Sequence, residues 1–127
     1  MLTTGLKGKA EVKVDDTNTA VTMGSGSLKV FATPAMIALI EKAACKALDG
    51  QLDDGQTTVG TKLDVAHVAA TPVGMNVTAE AVLTEIDNRR LVFEVVARDE
   101  KDIIGKGTHE RFIVNVEKFT AKTYGKV

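Results

Sequence analysis

One long helical signal, Thr33-Pro34-Ala35-Met36-Ile37-Ala38-Leu39-Ile40-Glu41-Lys42-Ala43-Ala44-Cys45-Lys46-Ala47-Leu48-Asp49-Gly50, constrains this chain most, because the other patterned stretches all read as strand or turn. Thr33 suits an N-cap, Pro34 the first helical position where no amide donor is needed, and Gly50 a left-handed stop. At roughly 100° per residue, Lys42, Lys46 and Asp49 fall in a narrow polar arc and most of the remaining circumference is apolar, so a mostly buried helix is expected. Glu41 departs from that pattern. It lies about 100° round from Lys42, on the side of Pro34, Ile37, Ala38, Ala44, Cys45 and Leu48. A carboxylate there is paired, rim-exposed, or facing a cleft where its cost serves function.

Around this helix the sequence places strands. Residues 7–14 alternate near their end and read as a first strand, and Asp15-Asp16-Thr17-Asn18 as a turn. Four further strands are expected over Thr57–Val68, Met75–Asp87, Leu91–Asp99 and Ile103–Lys118, separated by short turns that join antiparallel neighbours. Gly24-Ser25-Gly26-Ser27, just before the helix, fits either a lid or a plain connector. The pattern is α+β: a curved antiparallel sheet wrapped around one long central helix, in a single domain spanning residues 1–127.

Composition narrows the function classes. No apolar run approaches the roughly 20 residues of a membrane span, so no membrane partner is expected. A net charge of −1 with 4% aromatic residues argues against nucleic-acid binding. The start, Met1-Leu2-Thr3-Thr4-Gly5-Leu6-Lys7, has no signal-peptide core, which makes a cytoplasmic location the expectation. Cys45, the one cysteine, excludes an intrachain disulfide and is expected as a small buried core residue. No metal is expected, since the two histidines are far apart and no His or Cys pair has ligand spacing.

The titratable candidates follow from strand parity. Val59, Leu63, Val65 and His67 occupy odd positions of one strand, so His67 is expected to face the helix that carries Glu41. It is either a hydrogen-bonded core residue or a proton shuttle. Gly60 within that strand marks a bulge or a close backbone approach to a ligand. In the last strand His109 and Glu110 point to opposite faces and cannot pair. Arg111 could grip a phosphate or carboxylate, or pair with Glu94 or Glu110.

These residues resemble the hotdog-fold thioesterases, in particular the fluoroacetyl-CoA thioesterase-like family. The likeness runs from about Val30 to Val114. It is carried by Val30-Phe31-Ala32-Thr33 with Glu41 eight residues on, Val59-Gly60-Thr61 with His67, Thr71-Pro72-Val73-Gly74-Met75, Arg89-Arg90-Leu91, and Ile104-Gly105-Lys106-Gly107-Thr108-His109-Glu110-Arg111. It is loose before the helix, where the family's phenylalanine-bearing lid stands opposite Met23-Gly24-Ser25-Gly26-Ser27-Leu28. The resemblance implies a homodimer with an acyl-CoA site between subunits, and leaves open whether dimers pair into a tetramer. It implies catalytic roles for Thr33, Glu41 and His67 and substrate contact at Gly60 and Arg111. No cofactor is implied, because CoA belongs to the substrate.

Thioester hydrolysis needs a nucleophile, an oxyanion donor and a proton route to the thiolate. Glu41 would attack or activate water, His67 would orient it and shuttle the proton, Thr33 would hydrogen-bond the carboxylate or the carbonyl oxygen, and an amide near Gly60 would serve the oxyanion. Arg111, ahead of Arg89 and Arg90, is the candidate for the CoA phosphates. Eight helical residues separate Thr33 and Glu41 by roughly 12 Å, so if both serve one carbonyl they come from different chains. Two rivals stay open on sequence: an acyl-CoA dehydratase or hydratase of the same fold, and a non-catalytic acyl-CoA-binding module.

Overall fold

In the computed structural model, residues 2–127 are described, and Met1 lies outside them. The elements run β1 (Lys7–Lys13), α1 (Ala20–Met23), α2 (Thr33–Ala47), β2 (Gln56–His67), β3 (Asn76–Asp87), β4 (Arg90–Arg98), β5 (Ile103–Asn115) and α3 (Val116–Tyr124). The five strands form one antiparallel sheet in the order β1-β3-β4-β5-β2, which leaves β1 and β2 at its edges.

The sheet curls around α2, and small residues set how closely the two meet. Ala43, Ala44 and Ala47 of the helix are buried in one cluster with Ala10, Ala79, Ala81 and Ala97 of the strands. At Gly8 a Cβ would run into the Ala43 carbonyl, so only glycine lets β1 lie this close to the helix. Larger side chains fill the remaining volume: Met36, Ile40, Leu83, Leu91, Phe93 and Ile104 have no solvent exposure. Each such burial stabilises the fold by about 1.5–3 kcal/mol.

Several boundaries differ from the sequence expectation, each for a local reason. The N-cap of α2 is Ala32 rather than Thr33, with no side-chain cap bond, so the Thr33 hydroxyl is left for another partner. One sheet covers one side of a helix. The opposite side leaves Pro34, Ala38 and Cys45 exposed and Ile37 and Glu41 half-buried, so Cys45 is a surface thiol and not a core residue. The last strand stops at Asn115, whose side chain accepts from the Lys118 amide at 3.0 Å and caps α3 where continued strand to Lys118 was expected.

The register of β2 shifts between Gly60 and Lys62. This bulge places Gly60 opposite Arg111 and Leu63 opposite His109, whereas Val59 pairs with Phe112. Val59 therefore faces away from Leu63, Val65 and His67, contrary to simple alternation, because one extra residue flips the parity.

Candidate active site

Two polar clusters lie along α2. The first is at its N-terminal end. His67 closes β2, and Val68 then bonds to the Ile104 carbonyl at 2.7 Å, which carries the chain over the start of the helix. There Thr33 Oγ1 and His67 Nδ1 are 2.7 Å apart. If the hydroxyl donates, the ring proton sits on Nε2; if Nδ1–H donates, Nε2 holds the lone pair. In both cases Nε2 is buried with no hydrogen-bond partner among the described residues. Such an orphaned atom is rare enough to need a reason. Burial pushes the His67 imidazole below its ordinary value, and the Ala69 backbone opposes that shift. Burial thus favours the neutral ring.

The Thr33–His67 pair opens into a cavity of about 300 Å³ bounded also by Ser25, Phe31, Val68 and Ala69. Ser25 arrives there because the glycine-serine segment folds back on α1: its amide bonds to the Ala20 carbonyl at 3.0 Å, and Gly24 takes the left-handed conformation at φ 73°. Phe31 is fixed from the other side. Its amide bonds to the Thr71 carbonyl at 2.9 Å, and the buried Thr71 hydroxyl donates to Asp99 at 2.8 Å. Burial alone would raise the Asp99 carboxyl, but the amides of Lys101 and Asp102 and the Thr71 hydroxyl hold it below its usual value.

The second cluster surrounds Glu41, two turns along. Arg111 Nη1 lies 3.6 Å from Glu41 Oε2. The guanidinium is otherwise spent on β2, donating from Nε to Thr58 Oγ1 at 2.8 Å and from Nη2 to the Thr58 carbonyl at 3.0 Å. With its side chain 7% exposed, Arg111 turns inward; it meets neither Glu94 nor Glu110, and it is not open to a phosphate in this chain. Glu110 is instead an ion-pair partner of Arg90, which also reaches Glu85 and Asp87 at the β3–β4 hairpin. Gly60 borders the same cluster. A Cβ there would stand 2.5 Å from Glu41 Oε2, 3.3 Å from His109 Cε1 and 3.4 Å from Arg111 Nη1, so Gly60 is both a bulge residue and a site of close approach.

Thr33 and His67 thus meet within one chain, and so do Glu41, Gly60 and Arg111. No hydrogen bond or ion pair joins the two sets among the described residues. The expected partnership of His67 with Glu41 is not formed within the chain; Arg111 is the cation beside Glu41. Sequence reasoning missed Thr58 and the inward role of His109. Parity carried a partial signal, since His109 and Arg111 are two apart and must share a face.

A five-stranded antiparallel sheet curled around a helix that carries these groups defines a hotdog protein. A hot-dog-like protein from Thermanaerovibrio acidaminovorans, 24% identical, superposes with a TM-score of 0.88 over 97% of this chain and 91% of that one, a likeness of fold. The chain belongs to the fluoroacetyl-CoA-specific thioesterase family, whose profile matches residues 14–117. The fluoroacetyl-CoA thioesterase of Streptantibioticus cattleyicolor is 45% identical over 98 residues, covering 77% of this chain and 70% of that protein. A solved structure of the fluoroacetyl-CoA thioesterase FlK, 35% identical, superposes with a TM-score of 0.94 over 100% of this chain and 98% of that one.

Proposed function

We propose that the protein is an acyl-CoA thioesterase that hydrolyses a small acyl-CoA thioester to CoA and the free acid, with Thr33, Glu41 and His67 meeting at a homodimer interface. Membership of a thioesterase family favours hydrolysis over hydration of a double bond or binding without turnover. The observation that carries the site assignment is the Thr33–His67 bond beside a cavity, with the second ring nitrogen buried and unpartnered.

A neutral imidazole can take a proton from water through Nε2 and return it to the leaving sulfur, while Thr33 holds the ring through Nδ1. Glu41 attacks the thioester carbonyl or activates the water that does. A backbone amide near Gly60 is the candidate oxyanion donor. The products balance as one carboxylic acid and one thiol for each thioester and water consumed.

The helix supports the shared site. Glu41 lies on the side of α2 that the sheet leaves uncovered, among Pro34, Ile37, Ala38 and Cys45, and about 12 Å of helix separates it from Thr33. Two copies related by a two-fold axis could bring Thr33 and His67 of one to Glu41 of the other. Arg111, with Gly60, borders the acyl side in this reading, and CoA enters as substrate.

A CoA-release screen over short, branched, aromatic and halogenated acyl-CoAs, fluoroacetyl-CoA included, tests the activity; tight CoA binding with no turnover of any would sink it. The shared site is tested by mixing Thr33→Ala with Glu41→Ala chains. Random exchange makes about half the dimers mixed, each with one intact site, so roughly a quarter of all sites recover. Mixed dimers confirmed by mass but no more active than the parents would refute it.

A further inference from the structure

His109 is fully buried and takes no part in the chemistry above, yet each polar atom of its ring is engaged. Nδ1 stands 2.8 Å from the Lys62 carbonyl, which can only accept, so Nδ1 carries the proton. Nε2 therefore presents a lone pair, and Arg111 Nη1 lies 3.3 Å away to donate to it. The ring plane is set by Phe93, stacked at a centroid distance of 6.3 Å and an interplanar angle of 29°. Arg111 Nη1 is also the nitrogen that faces Glu41. One guanidinium nitrogen thus bridges the histidine and the carboxylate.

We propose that His109 is a positioning residue: it tethers the bulge of β2 through Nδ1–H and, through the Nε2 lone pair, fixes the Arg111 guanidinium against Glu41. The inference rests on Glu41 serving the reaction. It assigns a task to a buried histidine that reaches Glu41 through Arg111. Thr58 holds the Nε and Nη2 side of the guanidinium, and among the described residues Nη1 is restrained by His109 and Glu41. A protonated His109 would lose the acceptor and set two cations side by side, so the tether holds only while the ring is neutral. The environment keeps it so. Burial lowers the His109 pKa, the Lys62 carbonyl opposes this, Arg111 lowers it further, and Glu41 and Glu110 oppose in turn.

Two substitutions separate the two bonds. His109→Asn keeps a donor where Nδ1 stood and loses the acceptor for Arg111, whereas His109→Gln keeps an acceptor near the Nε2 position. His109→Asn should lower kcat by about tenfold with KM within about twofold, and His109→Gln should restore at least half of the loss. In an Arg111→Gln background His109→Asn should cost nothing more, because its effect passes through the guanidinium. Equal losses in both histidine variants, or a full additional loss in the Arg111→Gln background, would overturn the proposal. Should His109→Asn fail to fold, nitrogen NMR of the wild-type protein decides. The sequence holds two histidines, and the one that persists in His67→Gln must show the Nδ1–H tautomer at neutral pH. An Nε2–H signal overturns the tether. Glu41→Gln serves as the control: if it retains full activity, the reading of Glu41 fails, whereas loss in Glu41→Gln with no effect at His109 refutes the tether alone.

Discussion

The two polar clusters on α2 are built oppositely. Beside Glu41 the cation is held on several sides: Arg111 is bound by Thr58 twice and by His109, His109 by Lys62, and a missing Cβ at Gly60 makes the room, while Glu41 meets Arg111 at 3.6 Å. Around His67 one bond to Thr33 holds the ring, and Nε2 has no hydrogen-bond partner among the described residues. A guanidinium held this way keeps its charge in one place, since moving it breaks several bonds at once. An unsaturated nitrogen beside a cavity is suited to passing a proton, because it gives up no existing bond to do so. One end of the site is arranged for geometry and the other for exchange.

This contrast sets the sizes of the expected effects. Glu41→Gln removes the charge with little change of shape, and turnover should fall by about a thousandfold or more. Because Glu41 is partly exposed, the unfolding free energy should change by no more than about 1 kcal/mol. A variant that melts far earlier yet keeps its turnover would make Glu41 structural.

Gly60→Ala should come next. The new methyl group meets the flexible end of Glu41, which can swing aside, so the loss falls on alignment and not on folding. Turnover should drop by about a hundredfold, with less than about 1.5 kcal/mol lost from stability. Unchanged kinetics would show that the position of Glu41 is not held by this cluster.

The smallest effect is on stability against pH. Both histidines have folded pKa values below the ordinary imidazole value, each chiefly through burial. Between the folded and unfolded values the unfolded chain binds more protons, so stability is fully present above about pH 6.5 and is lost as pH falls through the folded values. Denaturant melts from pH 7.5 to 5 should show this decline. His109, fully buried, should account for more of it than His67, and an equal flattening in His67→Gln and His109→Gln would contradict that ranking.

Much of this was legible in the sequence, and what was not has physical causes. The helix announced itself through Thr33-Pro34, Gly50 and its apolar periodicity, and the meander through its turns. Glu41 and His67 stood out as charged or titratable groups in apolar surroundings. Thr33 looked like a cap, but the cap is Ala32, and the freed hydroxyl reaches a histidine 34 positions away that no local pattern encodes. From the sequence alone Arg111 could grip a phosphate or carboxylate or pair with Glu94 or Glu110, although parity puts Glu110 on the opposite side; its partners Glu41 and Thr58 arrive only when β2 closes on β5. α3 was hidden because Val114 and Val116 continue a strand-like alternation past Asn115, and the cap that stops it is one side chain.

β2 supplies Thr58, Gly60 and His67, and it is an edge of the sheet. An open edge displays unpaired amides and carbonyls to any extended chain, which makes it a template for amyloid-like growth. Lys62 and Asp64 stand exposed in the middle of this strand. Charges at that place deter indiscriminate strand addition. The strand that gathers the candidate site groups is therefore also one the chain must guard against aggregation, and its sequence is answerable to solubility as well as to chemistry.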